Sequence, residues 1–282
     1  MRWFGPNDTV SLNSIRKCGC SEVVTALHQI PVGEVWDQQS IESRRAEAEQ
    51  AGLAWTVVES LPVHEDIKRR SGSWKFLTEK YILSMQNLAD CGLEVITYNF
   101  MPVLDWVRTD ISHTLPDTTQ ALRFQMAYFA AFDMFILERA NADRDYESQV
   151  VSNSKSVYDV MTQAERDTLA STVLLGLPGD SNAFAPDDLL SSVESYRDIS
   201  ASDLRNNLTE FVRTIAPAAQ ELGLKLAIHP DDPPFPVLGL PRVVSTQTDL
   251  QHILGASDFE ANGLCFCTGS LGSRNDNDVN GI

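Results

Sequence analysis

The sequence predicts an α/β fold built on a parallel β-sheet, and three observations support this. Six short apolar runs alternate with helical segments along the 282 residues, a pattern typical of parallel sheets. Each predicted helix is followed by glycine, a common helix stop. No Gly-x-Gly-x-x-Gly follows the first run, and no Walker-type phosphate loop occurs, which disfavours a nucleotide-binding open sheet. A closed barrel and an open doubly wound sheet are both compatible with the pattern.

Four of the six strands lie in the first hundred residues. We predict these strands at Arg2–Phe4, Glu22–Leu27, Leu53–Ser60 and Leu93–Phe100. The helices between them are predicted at Ser11–Lys17, Asp37–Ala51 and Trp74–Cys91. Ser11 is a favourable N-cap, and the apolar residues of Trp74–Cys91 fall on one helical stripe.

The alternation is interrupted after the fourth strand and resumes later. The segment from about Met101 to Ile199 carries one predicted helix near Ala121–Leu137 and a polar stretch at Asn141–Ser156. We therefore expect a single domain, 1–282, with a helical and irregular insertion at about 101–199. Beyond it we predict elements in the order helix, strand, helix, strand, at Leu204–Leu222, Leu226–His229, Thr246–Leu254 and Leu264–Thr268. Thr246 and Asp249 have the spacing of a capping box.

Charge and cysteine content exclude several classes of partner. The net charge of -17 disfavours nucleic acid and anionic membrane surfaces, because both are bound by clustered Lys and Arg. No uninterrupted apolar run approaches the roughly 20 residues of a membrane span. The five cysteines are odd in number and no secretory signal precedes them, which indicates reduced thiols in the cytoplasm.

Polar side chains mark the ends of five of the six predicted strands. They are His28, Glu59, Asn99, His229 and Cys267. In a barrel, groups at the carboxyl ends of the strands converge on one face. Each residue alone has a simpler interpretation, such as a satisfied core histidine, a helix-capping glutamate or a small buried cysteine. Because so many strands share the feature, we expect an active-site face.

His229 and Cys267 are the candidate metal ligands, since imidazole and thiolate hold transition metals. The prolines after His229 fix a rigid turn, and these residue types alone favour zinc. Two ligands are too few for a complete site. Arg108, just beyond the fourth strand, suits a carboxylate substrate by bidentate contact. A pairing of Arg108 with Asp105 or Asp110 is an equally good interpretation.

Longer stretches of the sequence resemble mannonate dehydratases, which convert D-mannonate to 2-dehydro-3-deoxy-D-gluconate and water in hexuronate (glucuronate) catabolism. The matching stretches run in order along the whole sequence: Arg2–Asp8, Val24–His28, Val58–Ser60, Pro62–Lys68, Tyr98–Trp106, Arg108–Asp110, His229–Pro234, Gly239–Arg242 and Cys267–Ser270. So many long motifs in one order make the resemblance specific.

The resemblance implies a (β/α)8 TIM barrel of the xylose-isomerase-like type, with about six of the eight strands in this chain. It implies Fe²⁺ or Mn²⁺ in place of zinc, with His229 and Cys267 as two of the metal ligands. We expect His28, Glu59, Asn99 and Arg108 to bind the substrate. The family's remaining His and Asp ligands belong to its last two strands, beyond Ile282, so the catalytic acid and base stay unassigned.

The sequence is shorter than the family, so a chain ending at Ile282 is expected to be inactive and poorly stable. Two other functions stay open. A metal-dependent sugar isomerase or epimerase on the same barrel would turn over its substrate without releasing water. A non-enzymatic remnant would not bind metal. The expected partner is a small sugar acid, and a homo-oligomer is compatible with the resemblance.

Overall fold

The computed structural model describes residues 1–175 and 185–282. Its strands are β1 (Glu22–Thr25), β2 (Ala54–Glu59), β3 (Val95–Tyr98), β4 (Asp110–Thr114), β5 (Gln120–Arg123), β6 (Lys225–Ile228) and β7 (Asn262–Leu264). Its α-helices are α1 (Leu12–Lys17), α2 (Gln38–Gln50), α3 (Glu65–Arg69), α4 (Trp74–Asp90), α5 (Met126–Ala131), α6 (Ser148–Val160), α7 (Gln163–Leu174), α8 (Pro186–Glu194), α9 (Ala201–Glu221), α10 (Gln247–Leu254) and α11 (Thr268–Leu271). Among these helices, none combines the length and the apolar character needed to cross a membrane.

Five strands form one parallel sheet in the order β1-β2-β3-β6-β7, which is also their order along the chain. The predicted first strand is reduced to one parallel bridge between Arg2 and Val24 at the outer edge of β1. A doubly wound sheet reverses its strand order at a switch point, whereas barrel strands follow one another around the sheet. The observed order is therefore that of a barrel, although the sheet is not closed within the described ranges.

Capping residues fix the helix ends at the predicted positions. Ser11 Oγ accepts a hydrogen bond from Ser14 N at 3.1 Å, and Asp37 Oδ1 accepts one from Ser40 N at 2.9 Å. The predicted capping box of Thr246 and Asp249 is present at the start of α10. Each bond satisfies a backbone N–H that the first helical turn leaves without a partner.

The core between the sheet and the helices centres on Phe211 of α9. Its ring centroid lies 5.2 Å from that of Tyr81, 6.0 Å from that of Tyr98 and 5.8 Å from that of Phe100. Aromatic pairs at these distances add a specific attraction to the burial of apolar area. This cluster holds α4 and α9 against β3.

The connection from β3 to α9 contains the antiparallel hairpin of β4 and β5 and the helices α5 to α8. The helix predicted near Ala121–Leu137 begins later, at Met126, because Gln120–Arg123 pairs within the hairpin. The polar stretch Asn141–Ser156, predicted to be irregular, contains a 3-10 turn and most of α6. Residues 176–184 of the predicted insertion lie outside the described residues.

Candidate active site

The carboxyl ends of the parallel strands carry the predicted site residues. Glu59 is the last residue of β2, Asn99 follows β3 directly and His229 follows β6 directly. His28 lies three residues beyond β1, and Cys267 lies three residues beyond β7. Because the five strands are parallel neighbours, their ends lie along one edge of the sheet, where barrel enzymes place their active sites.

His229 and Cys267 meet at this edge. His229 is 5% exposed, and its Nδ1 lies 2.7 Å from Pro230 O. A carbonyl oxygen only accepts hydrogen bonds, so Nδ1 carries the proton and Nε2 is the nitrogen with a free lone pair. Interaction with the imidazole of His229 lowers the pKa of the Cys267 thiol. Burial, the largest single effect, lowers the pKa of His229, but Cys267, the Pro230 carbonyl and Glu59 together outweigh burial, and the net shift is upward.

The last strand ends earlier than predicted, and this separates the two neighbouring sulfurs. β7 stops at Leu264, and Cys267 is the N-cap residue of α11. The spacing of Cys265 and Cys267 had predicted that both sulfurs lie on one face of a strand, and this prediction is wrong. The backbone turns after β7, and Cys267 N donates to Cys265 O at 3.0 Å. Burial raises the pKa of the Cys265 thiol to about 11, whereas His229 lowers the pKa of Cys267.

Arg2 reaches the same edge, although sequence reasoning did not identify it as a site residue. Its Nη1 donates to Glu59 Oε1 at 2.7 Å, and its guanidinium carbon lies 4.1 Å from the centre of the Trp106 ring. The Trp106 ring in turn lies 5.4 Å from the His229 ring. The one signal for Arg2 in the sequence was its place at the start of a motif shared with the resembled family.

Arg108 pairs with Asp232, and not with Asp105 or Asp110. Its Nη1 and Nη2 donate to the two carboxylate oxygens of Asp232 at 3.1 and 2.5 Å. Nη1 also donates to Val107 O at 2.8 Å. Because a carboxylate of the protein occupies this edge of the guanidinium, substrate binding by Arg108 stays a prediction.

Several polar atoms near the strand ends are buried without a partner in the described part of the chain. They are Arg2 Nε, both ring nitrogens of His28, Asn99 Oδ1 and Trp106 Nε1. Buried polar atoms in folded proteins normally have hydrogen-bond partners, so such a group calls for an explanation. These atoms include donors and acceptors, which matches the mixed hydrogen bonding of a polyhydroxylated ligand. We call Arg2, His28, Glu59, Asn99, Trp106, His229 and Cys267 the strand-end site.

His28 is held neutral at this site. Burial, together with the nearby charges of Arg2 and Arg44, lowers the pKa of His28 to about 4. A neutral imidazole offers one donor and one acceptor. At pH 7 His28 can therefore exchange hydrogen bonds with a hydroxyl group without adding charge to the site.

A buried polar network fixes the loop that follows β3. Lys68 Nζ donates to Met101 O and to Glu65 Oε1, both at 2.6 Å. Val103 N donates to Glu65 Oε2 at 3.1 Å. Glu65 and Lys68 belong to α3, a helix of only 5 residues that the sequence analysis did not predict.

A buried carboxylate fixes the loop after His229. Asp231 is 1% exposed and accepts hydrogen bonds from Val244 N at 2.7 Å and Ser245 Oγ at 2.8 Å. Ser270, in α11, donates its hydroxyl to the carbonyl oxygen of Asp231. The loops that carry His229 and Cys267 are thus tied to each other.

Comparisons with known proteins agree in one family. The family model described as D-mannonate dehydratase (UxuA) matches residues 1–282. A mannonate dehydratase of Saccharophagus degradans is 44% identical over 281 residues, which are 100% of this chain and 71% of that protein. One of Marinomonas sp. is 46% identical over 278 residues, 99% of this chain and 71% of that protein.

A solved structure gives the same result. The crystal structure of mannonate dehydratase from Streptococcus suis serotype 2 has 34% sequence identity and a TM-score of 0.73. The similarity covers 99% of this chain and 66% of that chain. It confirms the predicted barrel-type α/β fold.

Proposed function

The chain belongs to the D-mannonate dehydratase family, a family of hydro-lyases, and we propose that its strand-end site binds Fe²⁺ or Mn²⁺ and D-mannonate for dehydration. Family membership confirms the function predicted from the sequence. The metal, the ligands and the substrate contacts are the part that we propose here.

The contact between His229 and Cys267 carries the proposal. The carbonyl of Pro230 fixes the Nδ1 proton of His229, so that Nε2 is the nitrogen that can bind a metal. In known metal sites a ligating histidine commonly donates its other ring N–H to a carbonyl in the same way. The lowered pKa of Cys267 favours the thiolate, the form of cysteine that binds metals. The pair therefore fits a divalent transition metal. Within residues 1–175 and 185–282, no group of three or more His, Cys, Asp or Glu is arranged to hold one, so we assign only these two ligands.

Dehydration of a sugar acid removes the proton at C2 and the hydroxyl at C3. The C2 proton is weakly acidic beside a carboxylate, and a bound divalent metal supplies Lewis-acid stabilisation of the charge that develops. The residues of this chain bind and orient the substrate. Neutral His28, Asn99 Oδ1 and Trp106 Nε1 have the free donors and acceptors that several hydroxyl groups require. Glu59, held by Arg2, offers further acceptor capacity at the end of β2.

The setting that we propose is the cytoplasm, in keeping with five cysteines that are all free. The net charge of -17 favours a small-molecule substrate over nucleic acid. The substrate that we propose is an anion, so a local cation is needed at the site. Assembly into a homo-oligomer is part of the same proposal.

Metal binding by variants of Cys265 and Cys267 tests which of the two sulfurs is the ligand. Co²⁺ is a suitable probe, because a Co²⁺–thiolate bond gives a charge-transfer absorption band. We expect this band in the wild type and in Cys265→Ser, and we expect its loss in Cys267→Ser. Equal loss in both variants would reject the assignment of Cys267.

Product formation tests the reaction. The 2-keto-3-deoxy product should form from D-mannonate with Mn²⁺ or Fe²⁺, stop with chelator and resume when the metal is restored. Full turnover by metal-stripped protein would exclude the proposed role of the metal. Turnover of a sugar without release of water would favour an isomerase or epimerase.

A further inference from the structure

Arg2 brings a guanidinium group into the strand-end site. We propose that Arg2 binds the carboxylate group of the sugar acid through its Nε–H, as a specificity-determining residue. The proposal rests on the proposed function and adds to it the residue that selects an acid over a neutral sugar.

The position of Arg2 results from the way its backbone joins the sheet. Arg2 forms its bridge with Val24 of β1, but its side chain contacts Glu59, the last residue of β2. The guanidinium therefore passes over the end of β1 and enters the site. Two contacts, of 4.1 Å to Trp106 and 5.4 Å from Trp106 to His229, connect it with the candidate metal ligand.

Two aromatic rings pack against the guanidinium of Arg2. Its carbon lies 4.1 Å from the centre of the Trp106 ring and 4.8 Å from that of Phe4. Such stacking suits Arg, whose planar cation keeps its N–H groups directed outward along its edges. An Arg fixed in this way loses little freedom when it binds a carboxylate.

The hydrogen bonds of Arg2 are incomplete. Nη1 donates to Glu59, while Nε is buried and has no partner in the described part of the protein. A buried donor without an acceptor is costly, and a charged one more so. A carboxylate ligand removes this cost with a charge-assisted hydrogen bond.

Arg108, which the sequence analysis predicted to bind the substrate carboxylate, already has a carboxylate partner in the protein. Two of its nitrogens already donate to both oxygens of Asp232. For Arg108 to bind a substrate carboxylate in a bidentate way, this ion pair would have to break. Arg2 needs no such change, because its Nε is free of any partner in residues 1–175 and 185–282.

Binding of an acid and of its neutral analogue tests the proposal. D-mannonate and D-mannitol differ at C1, where one has a carboxylate and the other a hydroxymethyl group. Calorimetric titration of the whole chain with added Mn²⁺ gives the preference for the acid over the alditol. The Mn²⁺ concentration is the same for all variants, and the ratio of the two affinities is compared, so that a change in this preference reports on the replaced side chain. We compare Arg2→Met, Arg2→Lys and the matched variant Arg108→Met with the wild type.

We expect Arg2→Met to weaken D-mannonate binding by at least about tenfold, the factor for one hydrogen bond between charged groups. Binding of D-mannitol should change little. Arg2→Lys keeps the charge without the Nε–H and should fall between wild type and Arg2→Met. Arg108→Met should keep the preference for the acid. A full preference in Arg2→Met, or its loss only in Arg108→Met, would overturn the role of Arg2 and leave the proposed function intact. A wild type that binds neither compound would reject the proposed function itself.

A second variant decides the case if Arg2→Met does not fold, as judged by circular dichroism. Glu59→Gln leaves Arg2 in place and removes the negative charge that Arg2 now faces. If Arg2 binds the substrate carboxylate, this variant should bind D-mannonate more tightly relative to D-mannitol. An unchanged or smaller preference would overturn the proposal.

Discussion

The hydroxyl group of Tyr196 donates a hydrogen bond to Glu65 Oε2 at 2.6 Å. Tyr196 lies just after α8, in the long connection between β3 and α9, while Glu65 begins α3 beside the strand ends. The same carboxylate accepts hydrogen bonds from Lys68 and from Val103 N. The long connection is therefore attached to the loop that supports the site by one partly buried carboxylate.

Replacing Tyr196 with Phe should destabilise the protein by about 1.5–3 kcal/mol, the range for a hydrogen bond to a charged group. Urea unfolding of wild type and variant measures this difference. Tyr158→Phe is the matched control, because no hydrogen bond from the Tyr158 hydroxyl occurs among the described residues; its ring packs on Phe135 at 5.1 Å. Equal losses in the two variants would show that the contact with Glu65 contributes nothing specific.

Replacing Asp133 with Asn should cost about 1.5–3 kcal/mol of unfolding free energy, the range for hydrogen bonds to a charged group, because it removes the buried charge that accepts from both Arg139 and Tyr146. Asp133 is 0% exposed and accepts from Arg139 at 2.8 and 2.7 Å and from Tyr146 at 2.7 Å. Asp145 contacts the same Arg139, but its side chain is 40% exposed. Asp145→Asn should therefore cost no more than about 1 kcal/mol. If Asp145→Asn costs as much unfolding free energy as Asp133→Asn, the buried carboxylate does not contribute more to stability than the exposed one, and the prediction is wrong.

His28 should make the protein less stable as the pH falls from 6.5 towards 4. Its pKa in the folded state is about 4, lowered by burial and by Arg2 and Arg44, with Asp8 opposing the shift. Over this range the unfolded chain binds the additional proton, so the loss is at most about 1.4 kcal/mol per pH unit. Above pH 6.5 the contribution is complete.

Urea unfolding at several pH values, with NMR titration of the histidine ring protons, measures this effect. His28→Gln should have a smaller pH dependence than the wild type. His252→Gln, at an exposed histidine, serves as the control and should keep the wild-type dependence. A His28 ring that titrates near pH 6.5 would disprove the prediction.

Mn²⁺ should raise the melting temperature of the wild type in proportion to the logarithm of its concentration, because a ligand that binds only the folded state stabilises it. His229→Gln should lose most of this shift, since it removes one of the two proposed ligands. His252→Gln should retain the shift. The same shift in all three proteins would mean that Mn²⁺ binds elsewhere. Differential scanning fluorimetry with and without chelator gives the comparison.

Local signals predicted most of the sheet and its helices. The caps at Ser11, Asp37 and Thr246 and the glycine stops act within one helical turn, so the sequence records them directly. The short helix α3 was missed because 5 residues are too few for a helical period to be recognised. The hairpin of β4 and β5 was missed because its pairing depends on a partner strand and not on local preference.

The site was only partly accessible to the same reasoning. The ends of the strands identified His28, Glu59, Asn99, His229 and Cys267, because strand order and side-chain chemistry are visible in the sequence. Arg2 was not found, since its role depends on a contact with Glu59, 57 residues away. The pairing of Arg108 with Asp232 spans 124 residues and was equally hidden. The difference between Cys265 and Cys267 depends on where β7 ends.

The long connection between β3 and β6 has a consequence for how this fold tolerates change. Val95 pairs with Lys225, whereas Glu22 pairs with Ala54, so the later crossover is roughly four times as long as the earlier one. Loop-closure entropy grows only with the logarithm of length, at about 0.6 kcal/mol per doubling. The extra residues therefore add only about 1.2 kcal/mol to the entropy cost of bringing β3 and β6 together. Lengthening or shortening this segment is thermodynamically mild, so its sequence is free to diversify while the strand register beneath it is kept.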